Sequence, residues 1–344
     1  MSIQLGSSFN RGIPEKQVKI IFPKNVDKLI IIMLGLSLAG VLSNVSQHSL
    51  KFDIANMMLL SHENAVSRYD GSLNVTLLYK VSSIFAFFTT FLLGALASHR
   101  FNKRTLLFII MHFGVLLLDS ILMAARAGML LQLFCFLATL FSFTYYTNSR
   151  VKYKITLKKI AQAIMFITVI FLFFVVIQVF RGGKSDFDIT GIMSHVLTWF
   201  VGYVPCFDIW IRSSFDYDLT FGQKTFVGLF DLLGISERVS GVYPAVDIGN
   251  ERFSNVFTAY RGLIEDFSLL GMHLILLITG VLLSLIPSYV SKTKRITTMP
   301  LTAFIVFFFF WSYVINPYSY NVILFGSIIF WIYFVIFIRA VIID

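Results

Sequence analysis

Charge is what this sequence lacks most. Charged residues make up 13% of its 344 positions, about half the share of an ordinary soluble domain. So little charge cannot cover a water-facing surface, which excludes a soluble globular fold. Cysteine is nearly absent. Cys135 lies in an apolar run and Cys206 in a polar-flanked segment. With no CxxC pair and no metal-ligand spacing, neither a disulfide framework nor a zinc site is expected. The phosphate-loop run, the glycine fingerprint of dinucleotide binding and the HExxH zinc motif are missing too. No internal repeat is visible, so an inverted-repeat transporter has no support. No cleavable signal is expected, since residues 1–27 are polar and basic, and the first apolar helix is expected to act as its own insertion signal.

What is present is apolar surface. Hydrophobic residues make up 57% of the chain, with 38 phenylalanines. Runs of about 20 apolar residues, the length needed to cross a bilayer, fall near 28–46, 76–97, 105–124, 127–146, 160–180, 269–290, 298–316 and 321–341. The expected fold is an all-α polytopic membrane protein of about eight transmembrane helices with a long, partly helical extracytoplasmic loop. Its parts are a cytoplasmic tail over 1–27, five helices over 28–180, the loop over 181–268 and three helices over 269–344.

The charges orient the chain. Segments 1–28, 98–104, 147–159, 291–295 and the C-terminal end hold 17 of the 28 basic residues, against only Glu15, Asp27 and Asp344. The positive-inside rule assigns that side, with both termini, to the cytoplasm. A competing topology makes 191–211 a full span and inverts everything after it. Gly202 and Pro205 interrupt that stretch, which favours a helix lying at the interface or dipping into the outer leaflet. The spans hold few ionisable groups, among them His112, Asp119 and His273. A pump or channel more often places charge at the midplane, so any chemistry is expected at the outer face.

Four arginines are expected there. Arg126 sits at the tip of a tight hairpin, Arg181 directly follows the fifth span, and Arg252 and Arg261 precede the sixth. Guanidinium forks grip phosphate oxygens, although each could simply snorkel to the headgroups. Gly182 and Gly183 before Lys184 would let the backbone approach an anion. The pairs Asp186/Asp188 and Asp216/Asp218 have a spacing that can hold a divalent metal, but chance pairs are common in so acidic a loop. Glu251, Glu265 and Asp266 lie among the arginines; one could take a proton, or each could neutralise a guanidinium. His195 is open to the same two readings. Trp199, Tyr203, Trp210, Tyr217, Tyr243 and Tyr260 suit either an interfacial belt or sugar stacking.

A resemblance enters on three runs. The stretch Arg252-Phe253-Ser254-Asn255-Val256-Phe257-Thr258-Ala259-Tyr260-Arg261, followed by Glu265-Asp266-Phe267 and Gly271, is similar to a signature of the oligosaccharide repeat-unit polymerases, the O-antigen and capsule polymerases of the Wzy type. Phe221-Gly222-Gln223-Lys224-Thr225-Phe226 with Leu232 to Ile235 resembles their loop segment, and Ala125-Arg126-Ala127-Gly128 their arginine-bearing turn. The similarity runs in order over roughly residues 70–290. Members of the family often have more spans. The resemblance implies a GT-C-like glycosyltransferase of the bacterial cytoplasmic (inner) membrane, joining undecaprenyl-diphosphate-linked oligosaccharides at the outer face. It implies catalytic roles for Arg181, Arg252, Glu251 and Asp266, and substrate binding by Arg126, Arg261, Lys184, Asn255 and Tyr260. No metal or other cofactor and no nucleic acid is expected. Besides the lipid bilayer, a chain-length regulator and a flippase are the companions it implies. The alternatives are an O-antigen ligase or other lipid-linked-sugar transferase, and a flippase for the same lipids.

Overall fold

The computed structural model describes residues 17–45, 54–69, 72–147, 157–182, 189–213, 218–236, 243–249, 252–293 and 296–343. Helices α1 (Val26–Val45), α3 (Leu77–His99), α4 (Lys103–Leu122) and α5 (Arg126–Thr147) run up and down in turn. Their ends are capped as their sequences dictate. The Thr76 hydroxyl accepts the N–H of Tyr79 at 3.0 Å, and the Asn102 carboxamide accepts that of Thr105 at 2.9 Å, each satisfying an orphan donor of a first turn. Between α1 and α3 lies α2 (Ile54–Tyr69), shorter and much less apolar. Helix α6 (Leu157–Gly182) follows, then α7 (Ile189–Val201) and α8 (Tyr203–Ser213), α9 (Val227–Leu232), the long α10 (Ala259–Thr293), α11 (Met299–Trp311) and α12 (Asn321–Phe337).

Helix α3 is the axis of the bundle, packing on α1, α5 and α12. Small residues permit this. A Cβ on Gly94 would lie 2.8 Å from the Phe136 carbonyl oxygen, and one on Gly326 2.7 Å from the Cβ of Phe87. Association of helices in lipid depends on such close packing, because apolar surface alone gains nothing there. Phe91 fills the centre, with Phe304, Phe307 and Phe330 ring centroids 5.2, 6.2 and 5.3 Å away. A polar knot lies within this apolar interior: Thr90 Oγ1 lies 2.8 Å from His112 Nε2 and 2.5 Å from Gln132 Oε1, joining α3, α4 and α5.

Five described helices are long and apolar enough to cross a membrane, and six if α7 and α8 form one bent span. The expectation of eight also counts α11 and α12, whose apolar stretches 296–311 and 321–337 are shorter, and α6, which has 26 residues and is apolar over its described part 168–181. The expected last span over 321–341 ends early, because Arg339–Ile343 forms β4 and pairs antiparallel with β1 (Gln17–Ile21), Gln17 opposite Ile343. The fold is therefore mostly helical rather than wholly so, and the two ends of the described chain lie together at one end of the bundle. Asp27 sits at that end too, bridged to Arg100 and, at 3.1 Å, to Arg104.

The expected break in 191–211 is a 57° bend between α7 and α8. Gly202 makes the bend possible, since a Cβ there would stand 2.3 Å from the Thr198 carbonyl oxygen. Pro205 falls in the first turn of α8, where its missing N–H costs nothing. Helix α10 kinks at Ser268 (φ 68°, ψ 172°), and the Ser268 hydroxyl accepts the Gly271 N–H at 3.3 Å, restarting the helix where the sixth span was expected.

Candidate anion-binding cavity

The end of the bundle opposite the β1–β4 pair carries a cavity of about 740 Å³. It is built at helix ends. Helix α4 stops at Leu122 because Ala124 turns left-handed (φ 48°), and the N–H groups of Ala124 and Ala125 return to the carbonyls of Ile121 and Ser120 at 3.2 and 3.0 Å. This paired closure ends a helix and lets α5 begin at once with Arg126, whose guanidinium stands 5.9 Å from the Phe174 ring centroid on α6.

Helix α2 braces that turn. A helix end leaves carbonyl oxygens without partners, and α2 supplies donors to two ends. Asn64 Nδ2 donates to Leu122 O at 2.9 Å, while Arg68 donates through Nη2 to Met123 O and through Nη1 to Ala124 O at 3.4 Å. His62 Nδ1 lies 2.9 Å from Arg181 O at the end of α6; a carbonyl only accepts, so this nitrogen carries the proton. One amphipathic helix thus fixes the ends of α4 and α6 against each other.

Three arginines from three helices line the cavity as a result: Arg68, Arg126 and Arg181. Gln178, Asn255 and Thr198 add uncharged polar groups, and Trp199 and Tyr243 add aromatic wall. Among the described residues no carboxylate lines it. The N-terminus of α5 opens at the same place and carries partial positive charge of its own. Three guanidiniums beside a helix N-terminus are the chemistry that suits an anion.

The expected site residues divide accordingly. Arg126, Arg181 and Asn255 are brought together. Arg252 is not: it is exposed at the turn of the small antiparallel hairpin formed by β2 (Val246–Asp247) and β3 (Phe253–Ser254). Arg261 lies inside the protein. Its guanidinium stands 4.0, 4.2 and 5.2 Å from the ring centroids of Tyr243, Phe257 and Trp210, and its Nε is 2.9 Å from Glu265 Oε1. Burial, and then Glu265, push the Tyr243 phenol well above its ordinary value, so the ring stays neutral beneath the cation. Arg261 therefore shapes the cavity wall through Tyr243 and does not line the cavity. Tyr260 packs against the core beside it and lines no part of the cavity.

The expected base role of Asp266 does not fit the structure. Its side chain is fully buried. It accepts the Thr220 hydroxyl at 2.5 Å and the N–H groups of Lys224 and Thr225 at 2.9 and 2.6 Å. A carboxylate saturated by three donors folds the 220–226 turn and faces no substrate space. Glu265 is committed to Arg261. Glu251, Lys184, Gly183, Asp186, Asp188, Asp216 and Tyr217 lie outside the described residues, as does the side chain of His195.

Arg68 is the lining cation that is not among the residues expected from the sequence. The signal is present: Leu60, Ser61, Asn64, Ala65 and Arg68 share one helical face, and the first four are buried.

No protein-family model, curated protein or solved structure matches the chain. Fold and site together define a mostly helical membrane protein with a cationic cavity at one end of its bundle.

Proposed function

We propose that the chain is a glycosyltransferase that polymerises oligosaccharide repeat units carried on undecaprenyl diphosphate, with the arginine cavity at the outer face of the bacterial inner membrane. The observation that carries this reading is the convergence of Arg68, Arg126 and Arg181, from three helices, on one cavity. The basic residues of the loops at the other end support an outward orientation of this end, where no nucleotide sugar is available. A lipid-linked diphosphate sugar carries its own leaving group to that place.

In the reaction, a hydroxyl of the acceptor sugar attacks the anomeric carbon of the donor. The bond from that carbon to the diphosphate oxygen breaks, and undecaprenyl diphosphate departs with the electron pair. The three guanidiniums hold the charge that develops on the departing oxygen; preorganised positive charge at such a point is usually the largest catalytic term. Trp199 offers a ring face for a sugar. This reading assigns the hydroxyl proton to Glu251, which lies outside the described residues. The cavity volume of about 740 Å³ lies in the range of small-molecule sites, roughly 300–1,000 Å³.

Purified protein in lipid nanodiscs, given lipid-linked repeat units from its own host, tests this. A ladder of lengthening products without added nucleotide sugar or metal is the expected result. Transfer of the glycan to lipid A instead would make the protein a ligase. Movement of intact lipid-linked units across vesicle membranes without extension would make it a flippase.

A further inference from the structure

We propose that segment 218–236 is a membrane contact, inserting Leu219, Phe221, Leu232, Leu233 and Ile235 among the lipids of the leaflet on the cavity side of the bilayer. This rests on the chain being a membrane protein and not on the polymerase reading. All five side chains are exposed, Phe221 at 73% and Leu232 and Leu233 at 62% each. Two consecutive exposed leucines followed by an isoleucine make an apolar tip that water alone would disfavour.

What covers the tip follows from its level in the bundle. The Thr225 carbonyl accepts from Asn316 Nδ2 at 2.8 Å, and the Gly228 carbonyl accepts from Asn321 Nδ2 at 2.7 Å. Asn316 lies in the turn that joins α11 to α12, and Asn321 is the first residue of α12. On the other flank, the Phe221 N–H meets the Asp266 carbonyl at 3.2 Å, two residues before the α10 kink. The segment is thus pinned to the ends of three apolar helices. Leu269 and Leu270, directly beyond the kink, are exposed as well, at 51% and 80%, so the patch continues into the apolar outer face of α10. Asp218, Lys224 and Asp231 are also exposed. Charges interleaved with the apolar side chains set the depth at the boundary between headgroups and acyl chains, as for other interfacial segments.

The contact reaches the cavity wall. Gly262 lies between this segment and Tyr243: a Cβ there would be 3.1 Å from the Tyr243 hydroxyl and 3.7 Å from the Lys224 carbonyl. Tyr243 lines the cavity. Lipid thereby steadies the turn against which the cavity wall is built.

Single cysteines at positions 221, 233 and 235, labelled with an environment-sensitive fluorophore in nanodiscs, test the proposal. Cys135 and Cys206 are buried, and the unsubstituted chain supplies the labelling baseline. A cysteine at Leu277, exposed on α10, is the lipid reference, and one at Asp247, exposed on β2, is the aqueous reference. The expected result is quenching at all three sites by nitroxides placed high on the lipid acyl chain, as at 277, with iodide quenching several-fold weaker than at 247. Iodide quenching equal to that at 247 without nitroxide quenching would overturn the proposal. Protection from both quenchers would overturn it in favour of a protein partner.

Discussion

The guanidinium of Arg68 donates to the carbonyl oxygen of Met123 and so ties α2 to the turn that presents Arg126. The same turn is held by Asn64 through Leu122. Charge at the cavity and closure of the α4–α5 turn are therefore linked through one side chain. Arg68→Lys keeps the charge but loses the fork that reaches two carbonyls at once. A hydrogen bond from a charged group is worth about 1.5–3 kcal/mol, so transfer is expected to fall about 10- to 100-fold. Asn64→Ala removes only a cap, and its expected cost is about 1 kcal/mol, read as a lower midpoint in thermal unfolding with transfer largely kept.

Alanine at Arg126 or Arg181 is expected to lower the rate by about 10²–10³ each, the usual loss for one preorganised donor at a developing anion, with folding intact. Arg252→Ala is expected to stay within a few-fold of wild type, because Arg252 stands outside the cavity. Initial rates with lipid-linked donor measure both. Equal losses at 126, 181 and 252 would mean that the cavity is not the catalytic centre.

Asp266→Asn separates a folding role from a catalytic one. The carboxamide keeps the shape but turns an N–H₂ toward donors, leaving buried N–H groups of Lys224 or Thr225 unmet at a cost of about 1–3 kcal/mol. The expected outcome is a lowered unfolding midpoint, with residual activity whose pH profile is unchanged. A stable Asp266→Asn protein without activity would restore the base assignment.

Ala124 occupies a left-handed conformation that costs a residue with a side chain about 1–2 kcal/mol. Ala124→Gly is expected to raise the unfolding midpoint with activity kept. Ala124→Val, β-branched at a positive φ, is expected to open the α4–α5 turn and abolish activity. Circular dichroism melts alongside transfer assays read both.

How far the sequence discloses this site depends on distance along the chain. The Arg126 hairpin, the helix end at Arg181, the Gly202 break and the restart after Ser268 are written in adjacent residues, as caps, turn formers and apolar runs. The role of Arg68 is not, because it depends on partners at Met123 and Ala124 that only the folded chain brings near. Arg261 looks like a free cation in sequence. Its aromatic enclosure by Trp210, Tyr243 and Phe257 gathers three separate stretches, so nothing local distinguishes it from Arg252. Asp266 misleads for the same reason, since the donors that saturate it lie some forty residues earlier. The pairing of β1 with β4 joins the two ends of the described chain, where local pattern reads as a polar tail and the end of a span.

The measurement that bears most directly on the central claim is the length of the surface polysaccharide in the host, separated on a gel after deletion of the gene and complementation. The account predicts collapse of the ladder to a single repeat unit, restored by wild type and by Arg252→Ala but by neither Arg126→Ala nor Arg181→Ala. A ladder unchanged by the deletion would contradict it.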